Sequence, residues 1–420
     1  MLRALSPVLP DEVSDAEPAP VKVNSHVHLP PNFSAFHSVA EAVDRAAAEG
    51  VRVLGASNYY DYAVYDHFAE LCRDRGIFPL FGTEVLCLDA GLLQAQRRVN
   101  DPVNPGKMYV CGKGITHFAP MAPAAERLMA AVRRSDSART ATMVSRLSQV
   151  FSERGVQICL DERAVKALVA ERYGVPSDLV YLQERHVALA FQEALFATVP
   201  SAERARALSS VLQAEVGSPV SSIEAQDAIR TLLMKKGKPG YVEETFIDFD
   251  RAYQLVLALG GVPCYPVLAD GASPVAEFES DAGALAKALR DRRIYAAELI
   301  PNRNTLEVLR DYVVGLRAAG IAVLAGTEHN TLEMVPLEPN CARDAPVPVE
   351  VGDVFWEGAC IVAAHQYLVA NGQEGYVDSE GNLSGHYQDG EARLKALGRL
   401  GAAVIEQYFK LTTPTTLGAG

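Results

Sequence analysis

The chain has 420 residues, 49% of them hydrophobic and 22% charged, which is enough for a large core and for a β/α barrel with an insertion. Its formal net charge of −13 argues against a nucleic acid as the main partner, although a local basic pocket could bind a small anion. Seven scattered cysteines without a CxxC pair, and no apolar run near the roughly 20 residues that cross a bilayer, predict a cytoplasmic protein with reduced thiols and no membrane partner.

Strands and helices alternate at short intervals in the first part of the chain. Residues 1–20 are acidic and proline-rich, and they are predicted to form a loosely ordered lead-in. The next two predicted helices each end at a glycine, Gly50 or Gly76. The alternation of the first three strands with these two helices predicts parallel pairing with right-handed crossovers. The predicted strands are residues 21–29, 51–56, 77–88 and 107–115, and the predicted helices are residues 39–49 and 65–75.

The pattern changes at residues 122–236, where helical segments follow one another almost without a strand signal. Insertions of this length are typical of the loops at the catalytic face of a barrel, where they often form a lid. The sequence therefore predicts an α/β fold, a distorted TIM-like (β/α)7 barrel built from residues 21–121 and 237–420, with a helical insertion between them. The later predicted strands are residues 262–268, 294–300 and 321–326, and the later helices are residues 249–259, 282–290, 305–319, 358–371 and 390–409.

Two histidines, His26 and His28, lie near the end of the first predicted strand. Alternate residues share one face of a strand, so both imidazoles can reach the same point. Two imidazoles directed at one point suit a divalent metal such as zinc, manganese or iron. The alternative is a pair of polar residues at a strand terminus, but the position after the first strand of a βα series favours the metal.

Carboxylates accompany two other predicted strands. Glu84 lies beside apolar residues in the third strand, and such a carboxylate is costly to bury unless it is paired or binds a metal. Glu328 and His329 stand just past the strand at residues 321–326, at the end where barrel enzymes place catalytic groups. Asn330 could orient a ligand there, and the alternative for the segment is a helix N-cap.

Other polar side chains near predicted strand ends are candidates for proton transfer or for binding an anion. His117 is a candidate ligand or general base, with an ordinary loop histidine as the alternative. Asp270 follows a strand end and is a candidate proton carrier. The candidates for binding the substrate, most of them cations suited to a phosphate or carboxylate, are Lys107, Lys113, Arg303, Tyr265 and Asn330.

Four short stretches of the chain occur in a characteristic order. They are NSHVH at residues 24–28, FGTEV at residues 81–85, GGVP at residues 260–263 and LAGTEH at residues 324–329. In these stretches and their spacing, over about residues 21–335, the chain resembles the PHP (polymerase and histidinol phosphatase) superfamily of metal-dependent phosphoesterases and hydrolases. The resemblance implies a barrel of the PHP type and a metal-dependent hydrolytic activity.

The chain departs from the family pattern at several positions. The family's Asp-His after the second strand is replaced by SNYY at residues 57–60, its Ala-His-Pro by CYP at residues 264–266, and its last Asp-x-His by EHN at residues 328–330. The residues that would hold a second and a third metal are thus mostly replaced. The resemblance implies one divalent metal per chain, either zinc, manganese or iron, whose ligands would be His26, His28, Glu84 and Glu328.

Three functions follow from these predictions. The first is a mononuclear metal-dependent hydrolase, phosphoesterase-like, in which the metal activates water for attack on a small anionic substrate and His329, His117 or Asp270 moves protons. The second is a metal-dependent sugar or sugar-acid isomerase or lyase that uses the tyrosines Tyr59, Tyr60, Tyr109 and Tyr265. The third is a non-catalytic binding protein on a decayed barrel, and a homo-oligomer is compatible with all three.

Overall fold

The computed structural model describes residues 19–412, so the predicted lead-in at residues 1–20 lies almost entirely outside the described residues. Within this part, seven strands form one curled sheet. They are β1 (Lys22–Val27), β2 (Val51–Ala56), β3 (Phe78–Leu88), β4 (Lys107–Lys113), β6 (Val262–Val267), β7 (Ala296–Leu299) and β8 (Ala322–Ala325). The short strand β5 (Ile247–Asp248) pairs with β3, and β9 (Asn340–Cys341) pairs with β10 (Ala345–Pro346) in a separate antiparallel pair.

The helices of the described part fall into two groups. Those associated with the strands of the barrel are α1 (Val39–Ala48), α2 (Tyr65–Asp74), α3 (Ala90–Gln94), α9 (Phe249–Ala258), α10 (Ala282–Asp291), α11 (Leu306–Ala318), α12 (Val349–Ala370) and α13 (Gly390–Thr412). Those between β4 and β5 are α4 (Pro123–Glu153), α5 (Glu162–Tyr173), α6 (Glu184–Thr198), α7 (Arg204–Leu212) and α8 (Ser222–Ile229). Within residues 19–412, no helix combines the length and the apolar character needed to cross a membrane.

The sheet closes almost completely on itself. Its order is β1-β2-β3-β4-β6-β7-β8, and all neighbours are parallel except that β4 runs antiparallel to both β3 and β6. The two edges meet where the backbone N–H of His28 donates to the carbonyl of Glu328 at 2.8 Å and the N–H of Glu328 donates to the carbonyl of His26 at 2.9 Å. The predicted fold class, a distorted TIM-like barrel, is confirmed, and the reversed strand β4 is one source of the distortion.

Burial explains why these segments form strands and helices. The strands β6, β7 and β8 are buried at every residue, as expected for parallel strands covered by helices. In α1 the buried positions follow helical spacing, and the Ser38 side chain accepts a hydrogen bond from the backbone N–H of Glu41 at the N-terminus. The local periodicity of apolar residues therefore determines where these strands and helices form. Their apolar faces pack together in the core of the barrel. The buried residues of α1 are Val39, Ala42, Val43 and Ala46.

The helices between β4 and β5 enclose a hydrophobic cluster of their own. The 31-residue helix α4 joins this cluster to the barrel core. Ala125, near its start, packs in the core of the barrel, whereas Met143 and Phe151 pack in the second cluster. The Arg133 side chain donates to the carbonyl of Tyr60, which follows β2, so α4 is also tied to the barrel by polar contact.

The start of α12 differs from its predicted start. The sequence predicts this helix from residue 358, whereas α12 begins at Val349, so that boundary was wrong. Gly358 lies inside the helix, where a Cβ atom would come within 2.0 Å of the carbonyl oxygen of Val323 in β8. The glycine permits close packing of the helix on the strand and does not mark a helix boundary.

The His365 side chain in α12 is expected to make the fold sensitive to acid. Its Nδ1 accepts a hydrogen bond from the backbone N–H of Tyr376 at 3.1 Å, and its Nε2 lies 3.0 Å from the carbonyl oxygen of Gly260. Burial lowers the pKa of His365 from 6.5 to about 4. The unfolded chain therefore binds the proton more readily, and this contribution to stability, full above pH 6.5, is lost as pH falls towards 4. At about 1.4 kcal/mol per pKa unit, the loss is roughly 3 kcal/mol.

Chemical unfolding between pH 7 and pH 4 measures this effect. The unfolding free energy of His365→Gln should fall less steeply with decreasing pH than that of the wild type. Because burial also lowers the pKa values of His186 and His329, only the difference between the two proteins is assigned to His365. Equal slopes in the two proteins would contradict the assignment.

Candidate metal centre

Three side chains predicted as metal ligands meet at one point in the barrel. His26 lies in β1, His28 follows the end of β1, and Glu84 lies in β3. The Nε2 atoms of the two histidines are 3.3 Å apart. Glu84 Oε2 lies 3.0 Å from Nε2 of His28 and 3.6 Å from Nε2 of His26. All three side chains are buried, so the structure places two imidazoles and a carboxylate around a single site.

The hydrogen bonding of this group fits a divalent metal. Glu84 Oε2 makes no hydrogen bond of ordinary geometry, although it is buried and close to both imidazoles. A buried carboxylate oxygen without a partner is costly, because it has lost its hydration. Two imidazoles and a carboxylate are also an established donor set for zinc, manganese and iron. The three residues therefore fit a metal ion in two ways. Their imidazole nitrogens and carboxylate oxygen are suitable ligand atoms, and Glu84 Oε2 has no well-aligned hydrogen-bond donor.

The charges of the three groups are coupled. Burial raises the pKa of Glu84, but the two neighbouring imidazoles outweigh burial and hold this pKa well below its usual range. Burial lowers the pKa of His28. Burial and the charge of Lys113 also lower the pKa of His26, but Glu298 and Glu84 outweigh them and raise it to about 9. Because ligation requires a neutral imidazole, metal binding and protonation compete at His26.

Glu298 in β7 orients His26 from the side opposite the ligand point. Its Oε2 lies 3.1 Å from His26 Nδ1. An imidazole that ligates a metal through Nε2 carries its proton on Nδ1, and a carboxylate on that proton fixes the tautomer and the ring. Lys113 in β4 forms a buried ion pair with the same carboxylate, and its Nζ lies 3.4 Å from His26 Nδ1.

A second group of candidate ligands overlaps the first. His26, Cys111 and Glu298 also bring ligand atoms within 4.8 Å of one another. The ammonium of Lys113 lies against Glu298 and 3.3 Å from Ser57 Oγ, so a positive charge is already present in this second group. The two groups are therefore not equivalent. The ammonium of Lys113 neutralises the carboxylate of the second group, whereas among residues 19–412 no lysine or arginine pairs with Glu84 in the first.

The segment after β8 depends on a close approach at Gly326. A Cβ atom at this position would lie 2.4 Å from both His26 Cβ and Glu298 Oε1. Glu328 and His329 follow with φ angles of 62° and 53°, a left-handed conformation that is uncommon for residues other than glycine. This turn directs Glu328 to a cavity that His329 does not line.

The cavity beside the candidate metal ligands has a volume of about 650 Å³. That volume is in the range of sites for small molecules. The barrel and the inserted helices both contribute to its wall. Among the lining residues, Tyr59, Tyr60, Glu84, Tyr109, Arg303 and Glu328 belong to the barrel, and Arg139, Gln183, Glu184, Arg185 and Arg230 belong to the inserted helical region.

Glu328 lies at the cavity but outside the group of three candidate ligands. Its Oε2 accepts hydrogen bonds from Arg303 Nη2 at 2.7 Å and from Asn330 Nδ2 at 3.0 Å. Its negative charge is near enough to act on the pKa of His28. Among residues 19–412, however, the ligand atoms that lie within 4.8 Å of one another do not include Glu328. Its role as a fourth metal ligand stays a prediction.

The structure does not bring the two predicted histidine proton carriers into the cavity. His329 Nδ1 lies 2.8 Å from Thr327 Oγ1, and its Nε2 lies 2.9 Å from the carbonyl oxygen of Val335. Burial lowers the pKa of His329 to about 4. His117 is exposed, and its backbone N–H donates to the carbonyl of Leu259, which precedes the start of β6. A catalytic role for either residue stays a prediction.

Asp270 and Tyr265 have partners elsewhere in the fold. Asp270 Oδ2 accepts hydrogen bonds from the backbone N–H of Thr305 at 3.1 Å and from its hydroxyl at 2.7 Å, immediately before α11. Tyr265 is fully buried and donates to Glu279 Oε1 at 2.7 Å. Neither side chain is among the described residues that line the cavity.

Two of the three predicted anion-binding cations reach the cavity. Lys107 lines it, with its ammonium 2.9 Å from Glu244 and 3.2 Å from Asp101. Arg303 also lines it. Lys113 is buried inside the barrel and is only 2% exposed, so its ammonium lies near the His26 ring and does not line the cavity.

Three charged residues near the site are absent from the sequence-based prediction. Glu298 carries the same signal that identified Glu84, namely a carboxylate within an apolar strand, and could have been found by it. Arg185 and Arg230 come from the inserted helical region, where arginines are frequent. Their position at the cavity depends on the packing of those helices against the barrel, for which the sequence carries no local signal.

Comparison with known proteins supports the fold. No family model and no curated protein matches the chain. A solved structure from Bifidobacterium adolescentis, described as a candidate metal-dependent phosphoesterase, is 17% identical and covers 81% of this chain and 96% of its own, with a TM-score of 0.52. An amidohydrolase from Chromobacterium violaceum with bound sulfate and no metal is 16% identical over 79% of this chain and 96% of its own, with a TM-score of 0.49. At these identities the likeness to the first structure shows a shared fold and nothing finer.

Proposed function

We propose that the chain is a metal-dependent hydrolase, phosphoesterase-like and of the PHP type, that acts on a small anionic substrate. The observation that carries this proposal is the convergence of His26, His28 and Glu84 inside a barrel, next to a cavity that Glu84 lines. The sequence resemblance to the PHP superfamily supports the same class. So does the fold shared with a protein described as a candidate metal-dependent phosphoesterase.

The ligand atoms of this proposal are Nε2 of His26, Nε2 of His28 and Oε2 of Glu84. A divalent ion held there supplies Lewis acidity, which polarises a substrate oxygen or activates water. Glu298 keeps the His26 ring oriented through Nδ1. Glu328, held by Arg303 and Asn330, is the proposed fourth ligand or the carboxylate that accepts a proton at the cavity wall.

We infer one metal ion per chain. The second group of candidate ligands contains His26, which also belongs to the first group, and Glu298, which contacts the His26 ring. The ammonium of Lys113 already balances the charge of Glu298 there. A second divalent ion beside this ammonium would meet a like charge at short range. A single ion argues against a mechanism in which two metals clamp a phosphate.

A sugar or sugar-acid isomerase or lyase is the second candidate. It is favoured by three tyrosines, Tyr59, Tyr60 and Tyr109, that line the cavity near Glu84. Burial raises the pKa of each phenol, so all three stay neutral and can donate hydrogen bonds to substrate hydroxyls. The burial of two imidazoles and a carboxylate at one point disfavours the third candidate, a decayed barrel, because such polar groups are costly to bury where they bind nothing.

Turnover assays with metal-loaded and chelator-treated protein test the proposal. We expect hydrolysis of at least one class of phosphate ester with Mn²⁺, Zn²⁺ or Fe²⁺, and loss of this activity in the chelator. Hydrolysis that is insensitive to the chelator would contradict a metal-dependent mechanism. Conversion of a sugar acid without hydrolysis of any ester would replace the first candidate by the second.

A further inference from the structure

Arginines from the barrel and from the inserted helices meet at the same cavity. Arg185 lies in the first turn of α6, Arg230 directly follows α8, and Arg303 follows β7. All three line the cavity that Glu84 also lines. The cavity wall therefore carries guanidinium groups from two separate parts of the chain.

Arg185 differs from the other cations of the cavity in having no acidic partner. Among residues 19–412 no carboxylate forms an ion pair with it, and its guanidinium carbon lies 5.7 Å from the centre of the Phe33 ring. Arg139, in contrast, pairs with Asp136 at 3.0 Å and with Glu184 at 2.9 Å. A largely buried guanidinium without a counter-charge is unusual, since its charge and its donors are left uncompensated.

The other two arginines are only partly neutralised. Arg230 lies 3.5 Å from Asp227, whose side chain is 60% exposed, so this ion pair is weak. The Nε atom of Arg230 is buried and makes no hydrogen bond. Arg303 gives one nitrogen, Nη2, to Glu328 at 2.7 Å, and its side chain remains 38% exposed. Donors of all three guanidinium groups thus remain for a ligand.

Positive potential accumulates at this end of the cavity. Burial and the charges of Arg230 and Arg303 lower the pKa of Arg185 to about 10, although Asp227 and Tyr59 partly oppose them. The N-terminus of α6, which holds Arg185, adds the partial positive charge of a helix end. An anion between the three guanidinium groups would relieve their mutual repulsion and accept their free donors.

We propose that Arg185, Arg230 and Arg303 form an oxyanion subsite that holds a non-reacting phosphate-class group of the substrate. Guanidinium groups bind such oxyanions through paired, charge-assisted hydrogen bonds. Glu84, one of the three proposed metal ligands, lines the same cavity, so a small molecule held by the arginines would share the cavity with the edge of the proposed metal site. The assignment to the substrate rests on the proposed function, whereas the anion subsite itself requires no metal.

Calorimetric titration of the metal-free protein with inorganic phosphate, in the presence of a chelator, tests the subsite. We expect saturable binding to the wild type and binding weaker by about 10-fold or more in Arg185→Gln, because a charge-assisted hydrogen bond is lost. Arg230→Gln should have a similar effect and serves as an independent variant if Arg185→Gln misfolds. The matched control is Lys235→Gln, which removes one positive charge from the same cavity at a residue already paired with Glu184. It should leave phosphate affinity nearly unchanged.

Two results would overturn the subsite: no binding of millimolar phosphate to folded wild-type protein, or equal weakening of phosphate binding in Lys235→Gln and Arg185→Gln.

A second experiment uses the metal-loaded enzyme with two ester substrates, one with and one without an additional anionic group. Arg185→Gln should raise KM for the first substrate and leave KM for the second nearly unchanged. If phosphate binding is lost but the two KM values change equally, the assignment to the substrate fails and the arginines bind free phosphate. Failure of the metal centre would instead abolish turnover while leaving phosphate binding intact.

Discussion

Replacement of Lys113 by methionine is expected to lower the free energy of unfolding by about 3–5 kcal/mol, the range for breaking one partner out of a buried ion pair. The ammonium and the carboxylate of Glu298 are 3% and 1% exposed. The ammonium also donates to the backbone carbonyl of Ser25 at 3.1 Å. Without Lys113, Glu298 would lose its ammonium partner and would keep the His26 ring and the Ser25 hydroxyl as its hydrogen-bonding contacts among the described residues. Chemical unfolding in a chelator measures the loss without interference from metal ions.

The double variant Lys113→Met/Glu298→Gln is the matched control. It removes both charges, and the glutamine oxygen can still accept a hydrogen bond from His26 Nδ1. We expect the double variant to recover more than half of the stability that the single variant loses, as a double-mutant cycle would report. A loss below about 1 kcal/mol in Lys113→Met is the value of an exposed ion pair, and it would contradict a stabilising buried pair between Lys113 and Glu298.

Glu84→Gln is expected to weaken binding of a divalent metal by at least about 100-fold, because loss of even an outer partner of a metal ligand costs 10–100-fold. The substitution keeps the shape of the side chain and removes its charge. The two imidazoles would then remain without the carboxylate that completes their group. Competition with a chromophoric chelator measures the affinity, and hydrolytic turnover should disappear with it.

Glu244→Gln is the matched control for Glu84→Gln. Glu244 lines the same cavity, but its carboxylate pairs with Lys107 and is not part of the candidate ligand group. Its removal changes the charge of the cavity by the same amount without changing a ligand. Equal losses of metal affinity in the two variants would show a general electrostatic effect, and would argue against Glu84 as a ligand.

The strands and helices were predictable because the signals that define them are local. Apolar runs mark β2 and β6, and amphipathic spacing followed by a glycine marks α1 and α2. The predicted and observed bounds of these four elements differ by at most one residue. The antiparallel direction of β4 was not predicted, since it depends on how a long connection returns to the sheet.

The proximity of His26 and His28 was predictable from a local pattern, whereas the prediction that Glu84 joins them is what the resemblance to the PHP superfamily implies. The two histidines share one strand face by alternation, and Glu84 is exceptional as a carboxylate within an apolar strand. The partners of His26 were harder to predict. Lys113 and Glu298 are 185 positions apart in the chain, and they meet only because β4 and β7 face the same interior. Lys113, expected to bind substrate, is therefore placed where it neutralises a carboxylate.

Glu328 and His329 show a different limit of the sequence. They are adjacent, and both were predicted to act at the site. Consecutive left-handed φ angles send Glu328 to the cavity and His329 to Thr327 and Val335. The residue types in this segment do not predict the turn, because neither of the two left-handed positions holds a glycine.

The most direct test of the account is the elemental metal content of protein purified without added metal or chelator, compared between the wild type and Glu84→Gln. One transition-metal ion per wild-type chain, and little or none in the variant, is the result that we predict. No metal in folded wild-type protein, or equal content in both proteins, would contradict a metal centre at His26, His28 and Glu84. Two ions per wild-type chain would contradict the single-metal site and the role assigned to Lys113.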